Sequence, residues 1–141
     1  MADVHTRQTR HYNMTQIRST DTKPEIIVRS FLFSKGLRFR KNDKRYPGRP
    51  DIVLPKYKTI VFINGCFWHS HANCRESSVP ETNKEYWEPK LKRTQKRDKT
   101  NINSLENSGW NVIVVWECEL KKVVRLNSLE KLYMQIISNV F

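Results

Sequence analysis

All three cysteines of the chain, and two of its four histidines, lie between Gly65 and Cys118. Cys66, His69, His71 and Cys74 share one stretch, and Cys118 follows an apolar run from Val112 to Trp116. Zinc takes four thiolate or imidazole ligands in a tetrahedron, and a set that leaves no position open is structural rather than catalytic. Cys66, His71, Cys74 and Cys118 supply three thiolates and one imidazole. Three of these ligands sit in one loop and the fourth comes from a distant strand end, so the ion would pin the loop to the sheet. His69 competes with His71 for the histidine position, and spacing does not choose between them. The plainer alternative is three buried thiols and two surface histidines. An odd cysteine count without a secretion signal argues against a disulfide framework.

A second set of residues suits hydrolysis. Gly48-Arg49-Pro50-Asp51 leads into the apolar run Ile52-Val53-Leu54. In nucleases of the restriction-enzyme type, a Pro-Asp at a strand start places a carboxylate on a divalent metal, and the next strand adds an acid and a lysine. Here the next strand, Val61-Phe62-Ile63, has neither, so the signature is degenerate; most Pro-Asp pairs at strand starts are only turns. Phosphodiester cleavage needs Mg²⁺ to offset phosphate charge and acidify the attacking water. It also needs a group that exchanges protons near neutrality, a task suited to histidine. Asp51 could hold the metal, with the backbone carbonyl of Ile63 as a second oxygen ligand. His69, just past the second strand, is the candidate general base or acid. Glu25 either reaches the same site or serves only as a helix-capping glutamate.

These residues need elements to position them. Thr22-Lys23-Pro24-Glu25 has the form of a capping box with proline in the first turn, and Gly36 can end that helix. Ile27, Phe31 and Leu32 form its apolar face. The runs 51–54 and 59–63 predict strands, the second nearly continuous and covered on both faces. The charged segment from about Glu88 to Asn107 predicts a helix, Asn111 to Trp116 another buried strand, and Ser128 to Ser138 a final amphipathic helix. Helix, strands, loop, helix, strand, helix is an α/β order with helices packed on a sheet. Residues 1–20 are polar and predict an arm; residues 21–141 predict one domain.

Twenty-six lysines and arginines against fourteen acids give a net charge of +12. Such an excess opposes compaction and points to a polyanionic partner, most often nucleic acid. Basic ribosomal and membrane-surface proteins share it. No apolar run approaches bilayer length, and the N-terminus lacks signal-peptide character, so the expected address is cytoplasmic. Arg7 and Arg10 in the arm are candidate phosphate contacts, as are Lys90, Lys92, Arg93, Lys96, Arg97 and Lys99, unless these six form a solvated helix face. Phe67, Trp68 and Trp87 could stack on bases or wedge between base pairs rather than join the core, and Met14 with Ile17 could form a smaller wedge.

Taken together, several motifs resemble the very-short-patch-repair (Vsr) endonucleases. They are Met1-Ala2-Asp3-Val4-His5, Asn13-Met14, Gly48-Arg49-Pro50-Asp51, Gly65-Cys66-Phe67-Trp68-His69 with His71, Glu85-Tyr86-Trp87, Arg97-Asp98, Gly109-Trp110 and Val115-Trp116-Glu117-Cys118. The resemblance runs from the N-terminus to about Leu120. It implies a restriction-endonuclease-like fold of the PD-(D/E)xK superfamily, with a central mixed sheet flanked by helices and a structural Zn²⁺. It also implies Mg²⁺-dependent nicking of one DNA strand, 5′ of the thymine in a T:G mismatch, as arises when 5-methylcytosine deaminates. By the resemblance, metal binding falls on Asp51 and the Ile63 carbonyl, the catalytic histidine is His69, and Glu25 and Asp98 are supporting acids. The zinc ligands become Cys66, His71, Cys74 and Cys118. Phe67, Trp68 and Trp87 become intercalating aromatics, with Met14 and its helix entering from the opposite groove, and Arg49 and Asn64 lie toward the DNA. The partner is double-stranded DNA met by a monomer, with other mismatch-repair proteins as further partners. The chain departs from the family at Ile63-Asn64, where Thr-His is common. Asn64 donates hydrogen bonds but exchanges no proton at neutral pH, which points to a slower or differently tuned enzyme. Endonuclease action without a mismatch and a non-cleaving zinc-stabilised DNA-binding module are the other readings.

Overall fold

The computed structural model describes residues 21–79 and 81–139. Arg7, Arg10, Met14 and Ile17 lie outside them.

Helix α1 spans Lys23–Ser34, with Pro24 in its first turn. It ends where expected. Gly36 adopts φ +85°, its amide bonds the Phe33 carbonyl, and the Leu37 amide reaches back to Leu32. That is a Schellman closure, which needs a left-handed residue and therefore favours glycine. The expected capping box does not form. The Thr22 side chain makes no cap bond, and the Glu25 carboxylate instead accepts the amide of Asp21 at 2.9 Å. Val28 and Leu32 form the fully buried part of the apolar face, while Ile27 and Phe31 pack at its margin.

Among the described residues four strands form one mixed sheet: β1 (Arg40–Lys41), β2 (Ile52–Leu54), β3 (Thr59–Asn64) and β4 (Asn111–Trp116), in that spatial order. β1–β2 and β2–β3 are antiparallel, and β3–β4 is parallel with Asn64 opposite Trp116. The parallel pair requires a long crossover, supplied by the Cys/His loop and helix α2 (Lys84–Asn107). Helix α2 begins about four residues earlier than the charged segment suggested and takes Pro89 in its second turn. There, the missing proline amide costs only the hydrogen bond to the carbonyl of residue 85. Helix α3 (Arg125–Ile137) closes the chain, starting three residues before the expected Ser128.

Alternation along the strands sorts two cores. Ile52, Leu54, Val61 and Val115 face α1 and α3, meeting Val28, Leu32, Leu129, Leu132 and Ile136. Val53 and Ile60 face the other way, toward Leu105 of α2 with Phe62, Trp110 and Val112 around them. β2 and β3 are thus covered on both faces, as continuous apolar strands require. β4 is not the fully buried strand the sequence suggested. Only Val115 is buried, because β4 is the last strand of the sheet and borders an open groove against α3.

Candidate active site and metal centre

The parallel strands β3 and β4 end side by side, and both chemical clusters hang from those ends. Beyond Asn64 the chain turns through Gly65–Ser70, with the His69 amide bonded to the Gly65 carbonyl and the His71 amide to that of Cys66. This tight coil aims successive histidines in different directions. His71 goes to the cysteines: one ligand atom from each of Cys66, His71, Cys74 and Cys118 lies within 4.8 Å of the others. The Cys118 sulfur is 3.4 Å from His71 Nδ1, and the His71 ring stacks on Trp116 with centroids 4.1 Å apart. Ser77 Oγ lies 2.8 Å from the carbonyls of both His71 and Cys74, tying the loop at two points. A short 3₁₀ turn at Arg75–Ser77 interrupts what the sequence suggested was an unstructured loop.

Three soft sulfurs and an imidazole gathered this closely suit a tetrahedral zinc ion. Burial first, then hydrogen bonds to the neighbouring thiols, pushes the Cys66 thiol up to about 12. A bound cation reverses that preference, since a thiol that coordinates a metal is deprotonated.

His69 turns the other way, and its Nδ1 lies 2.5 Å from Asp98 Oδ2 on α2. The carboxylate fixes the ring's orientation and leaves Nε2 for other work. Both residues line a cleft of about 530 Å³. Asp51 and Glu25 form another part of its wall. Asp51 stands at the entry to β2, following the fully buried Pro50, and its Oδ2 accepts the Ile63 amide at 2.6 Å. Burial, and then the charge of the nearby Glu25 carboxyl, raises Asp51 to about 7 from 3.8. Two carboxyls on one cleft wall, Glu25 buried and Asp51 partly exposed, could hold a hard cation such as Mg²⁺. Ile63 lines the same cleft.

Arg49 also faces the cleft, held at φ +47°, as does Asn64, which is buried. At the rim, Phe67, Trp68 and Trp87 pack edge to face with centroids 5.2–5.5 Å apart, and Trp68 is 49% exposed. Of the basic residues on α2 that could touch phosphate, Lys92, Arg93, Lys96, Arg97 and Lys99 are exposed, while Lys90 stands over the rings of Trp68, Tyr86 and Trp87. Sequence reasoning assigned nothing to Glu117, Asn101 or Phe62, which share the cleft wall. Glu117 could have been found: the residue after β4 lies beside the residue after β3 in a parallel pair. No helix among the described residues is long and apolar enough to cross a membrane.

Carboxylates that could hold a cation, sharing a cleft with an oriented imidazole, are equipment suited to hydrolysis, set on an α/β sheet. Comparisons with known proteins narrow the class. The family model described as DNA mismatch endonuclease Vsr matches residues 2–76. The type II nicking enzyme V.NmeAIP of Neisseria meningitidis serogroup A is 50% identical over 137 residues, covering 96% of this chain and 97% of that protein. V.XorIIP of Xanthomonas oryzae pv. oryzae is 43% identical, covering 91% and 93%. The DNA mismatch endonuclease Vsr of Escherichia coli K12 is 44% identical, covering 86% and 77%. The chain belongs to the DNA mismatch endonuclease Vsr family, a family of DNA endonucleases.

Proposed function

We propose that this protein is a Mg²⁺-dependent endonuclease that nicks one strand 5′ of the thymine in a T:G mismatch, the lesion left by deamination of 5-methylcytosine. The observation that carries the reading is the single cleft in which Asp51 and Glu25 share space with the His69–Asp98 pair, beneath an exposed tryptophan rim. In this reading the fold is restriction-endonuclease-like.

Asp51 and the Ile63 carbonyl hold Mg²⁺, which offsets phosphate charge and acidifies water when bound. His69, its ring held by Asp98, moves the proton at Nε2 as general base or acid. Glu25 supports Asp51 from α1. Arg49 and Asn64 face the phosphodiester backbone. Phe67, Trp68 and Trp87 enter the duplex at the mismatch, where stacking is cheapest to disrupt. Residues 1–20 form a DNA-contacting arm, with Arg7 and Arg10 on phosphates and Met14 and Ile17 as an opposing wedge. Cys66, His71, Cys74 and Cys118 hold a structural Zn²⁺ that ties the wedge-bearing loop to β4. The enzyme acts as a monomer in the bacterial cytoplasm, alongside other mismatch-repair proteins.

The test is strand-resolved cleavage of a labelled duplex with one T:G mismatch beside its fully paired twin, with Mg²⁺ supplied or withheld. One Mg²⁺-dependent nick beside the mismatched thymine is expected. Equal cutting of both duplexes would replace the mismatch reading with an endonuclease of another specificity, and binding without a cut would leave a recognition module.

A further inference from the structure

The proposed reaction gives no part to a cation buried behind the cleft. Arg29, one helical turn beyond Glu25, has only 11% of its side chain exposed. Arginine is seldom buried this far unless it is paired. Its Nη2 donates to Asp21 Oδ1 at 2.7 Å and lies 4.0 Å from Glu25 Oε2. Asp21 itself is held at φ +56°, an uncommon backbone state that aspartate tolerates better than most residues. In that conformation the Asp21 amide reaches Glu25 Oε2 at 2.9 Å. The three residues close a triangle: the guanidinium holds the Asp21 side chain, the Asp21 backbone holds Glu25, and the guanidinium charge faces both. Glu25, only 4% exposed, lines the same cleft as Asp51.

We propose that Arg29, acting with Asp21, is a positioning residue that fixes the Glu25 carboxylate against Asp51 and so shapes the cation seat of the cleft. The proposal rests on the functional reading above. Packing alone does not require an arginine here. The neighbouring buried positions of α1, Val28 and Leu32, are apolar and already meet the core. A guanidinium at Arg29 instead leaves Nη1 buried with no hydrogen-bond partner among the described residues. A cost of that kind is expected where a group holds functional residues in place. The charge also lies 4.0 Å from the Glu25 carboxylate without lining the cleft.

The test compares zinc-loaded wild type with Arg29→Met, Arg29→Lys and Asp21→Asn. Mn²⁺ binding to the DNA-free protein is followed by loss of the free-ion paramagnetic resonance signal. Single-turnover nicking of the T:G duplex is measured against Mg²⁺ concentration, with duplex affinity and zinc content as controls. Arg29→Met should weaken Mn²⁺ binding about tenfold and slow nicking roughly 10- to 100-fold, the scale of a catalytic group displaced by about an ångström. Duplex affinity should stay within about twofold, because phosphate contacts lie elsewhere. Arg29→Lys should recover most of both losses, and Asp21→Asn should show smaller losses in the same direction. If Arg29→Met does not fold, the Lys and Asn variants read the same two quantities, and wild-type values in both would overturn the proposal. So would a folded Arg29→Met with unchanged Mn²⁺ affinity and rate. Wild-type protein that fails to nick any duplex would instead overturn the functional reading, leaving the Mn²⁺ arm to judge the triangle by itself.

Discussion

The ends of β3 and β4 carry two ligand clusters a few residues apart, and they are built on opposite plans. The Cys66–His71–Cys74–Cys118 cluster is closed: four ligands from two chain segments converge on one another, and Trp116 covers the imidazole. The Asp51–Glu25 pair with His69–Asp98 is open, lining a cleft with oxygen ligands and an oriented ring. The closed cluster would complete a metal's coordination from the protein alone and give all its binding energy to the fold. The open one faces a solvent cleft and keeps Asp51 where desolvation and the Glu25 charge disfavour its ionised form, an arrangement that opposes folding. The contrast predicts opposite signs for stability when each is dismantled.

The largest effect should come from the open cluster. Asp51→Asn is expected to reduce nicking by about a thousandfold or more, the scale of losing a principal electrostatic element of a site. Duplex affinity should barely change. Above pH 7, without divalent cations in the cleft, the same variant should melt at a higher temperature than wild type. Retained nicking would break the metal assignment, and a lower melting temperature would break the contrast.

Dismantling the closed cluster should do the reverse. Cys118→Ser should lose zinc and several kcal/mol of stability, since structural zinc contributes directly to folding. Elemental analysis and denaturant unfolding check both at once. Zinc retained at one per chain would mean that the fourth ligand is another residue. Within the open cluster, the imidazole should matter more than the acid that orients it. His69→Ala should slow nicking roughly 10²- to 10⁴-fold. Asp98→Asn keeps the ring in place with a weaker partner and should cost less. Equal losses would mean that Asp98 acts on the substrate directly.

The pH dependence of stability sharpens the same contrast. Asp51 titrates near 7 in the folded protein because burial, and then Glu25, disfavours its charge, while the Ile63 amide and His69 pull the other way. The folded state therefore holds this proton more tightly than the unfolded chain, where the carboxyl titrates near 3.8. Stability should fall as pH rises from about 4 to about 7 and level off above, by an amount on the order of a few kcal/mol. Wild type minus Asp51→Asn, unfolded in urea without divalent cations in the buffer and with zinc retained, isolates that slope. Added Mg²⁺ should flatten it in wild type alone.

The two plans were not equally legible in the sequence. Soft ligands announce themselves: cysteines are few, and three of them beside a histidine, in a loop without periodicity, point to a metal. Even so, His69 and His71 could not be told apart, because the tight coil after Asn64 decides which ring turns inward. The open cluster was harder. A Pro-Asp before an apolar run is a common turn, and Glu25 fitted a capping box until the backbone showed it bonded to Asp21 instead. Packing of α2 on the sheet is non-local, so nothing near Asn101 in the chain says that it shares a cleft with Asp51. β1 was invisible because two residues carry no period. The half-exposure of β4 follows from its place at the end of the sheet, which its own apolar sequence does not encode.

The smallest effect should come from the rim, which belongs to neither cluster but is held by one and serves the other. Trp68 follows Cys66 by two residues and packs on Phe67 and Trp87, so a zinc ion on the cluster would stiffen the loop that presents it. A ring that enters the duplex pays for unstacking there and recovers stacking energy, on the order of 1–3 kcal/mol per base. That return depends on a weak step and is absent on paired DNA. Trp68→Ala should therefore narrow the affinity ratio between T:G and paired duplexes by about tenfold, with affinity for paired DNA nearly unchanged. Competition binding at fixed salt measures the ratio. Equal loss on both duplexes would make Trp68 a general contact and would detach the rim from mismatch recognition.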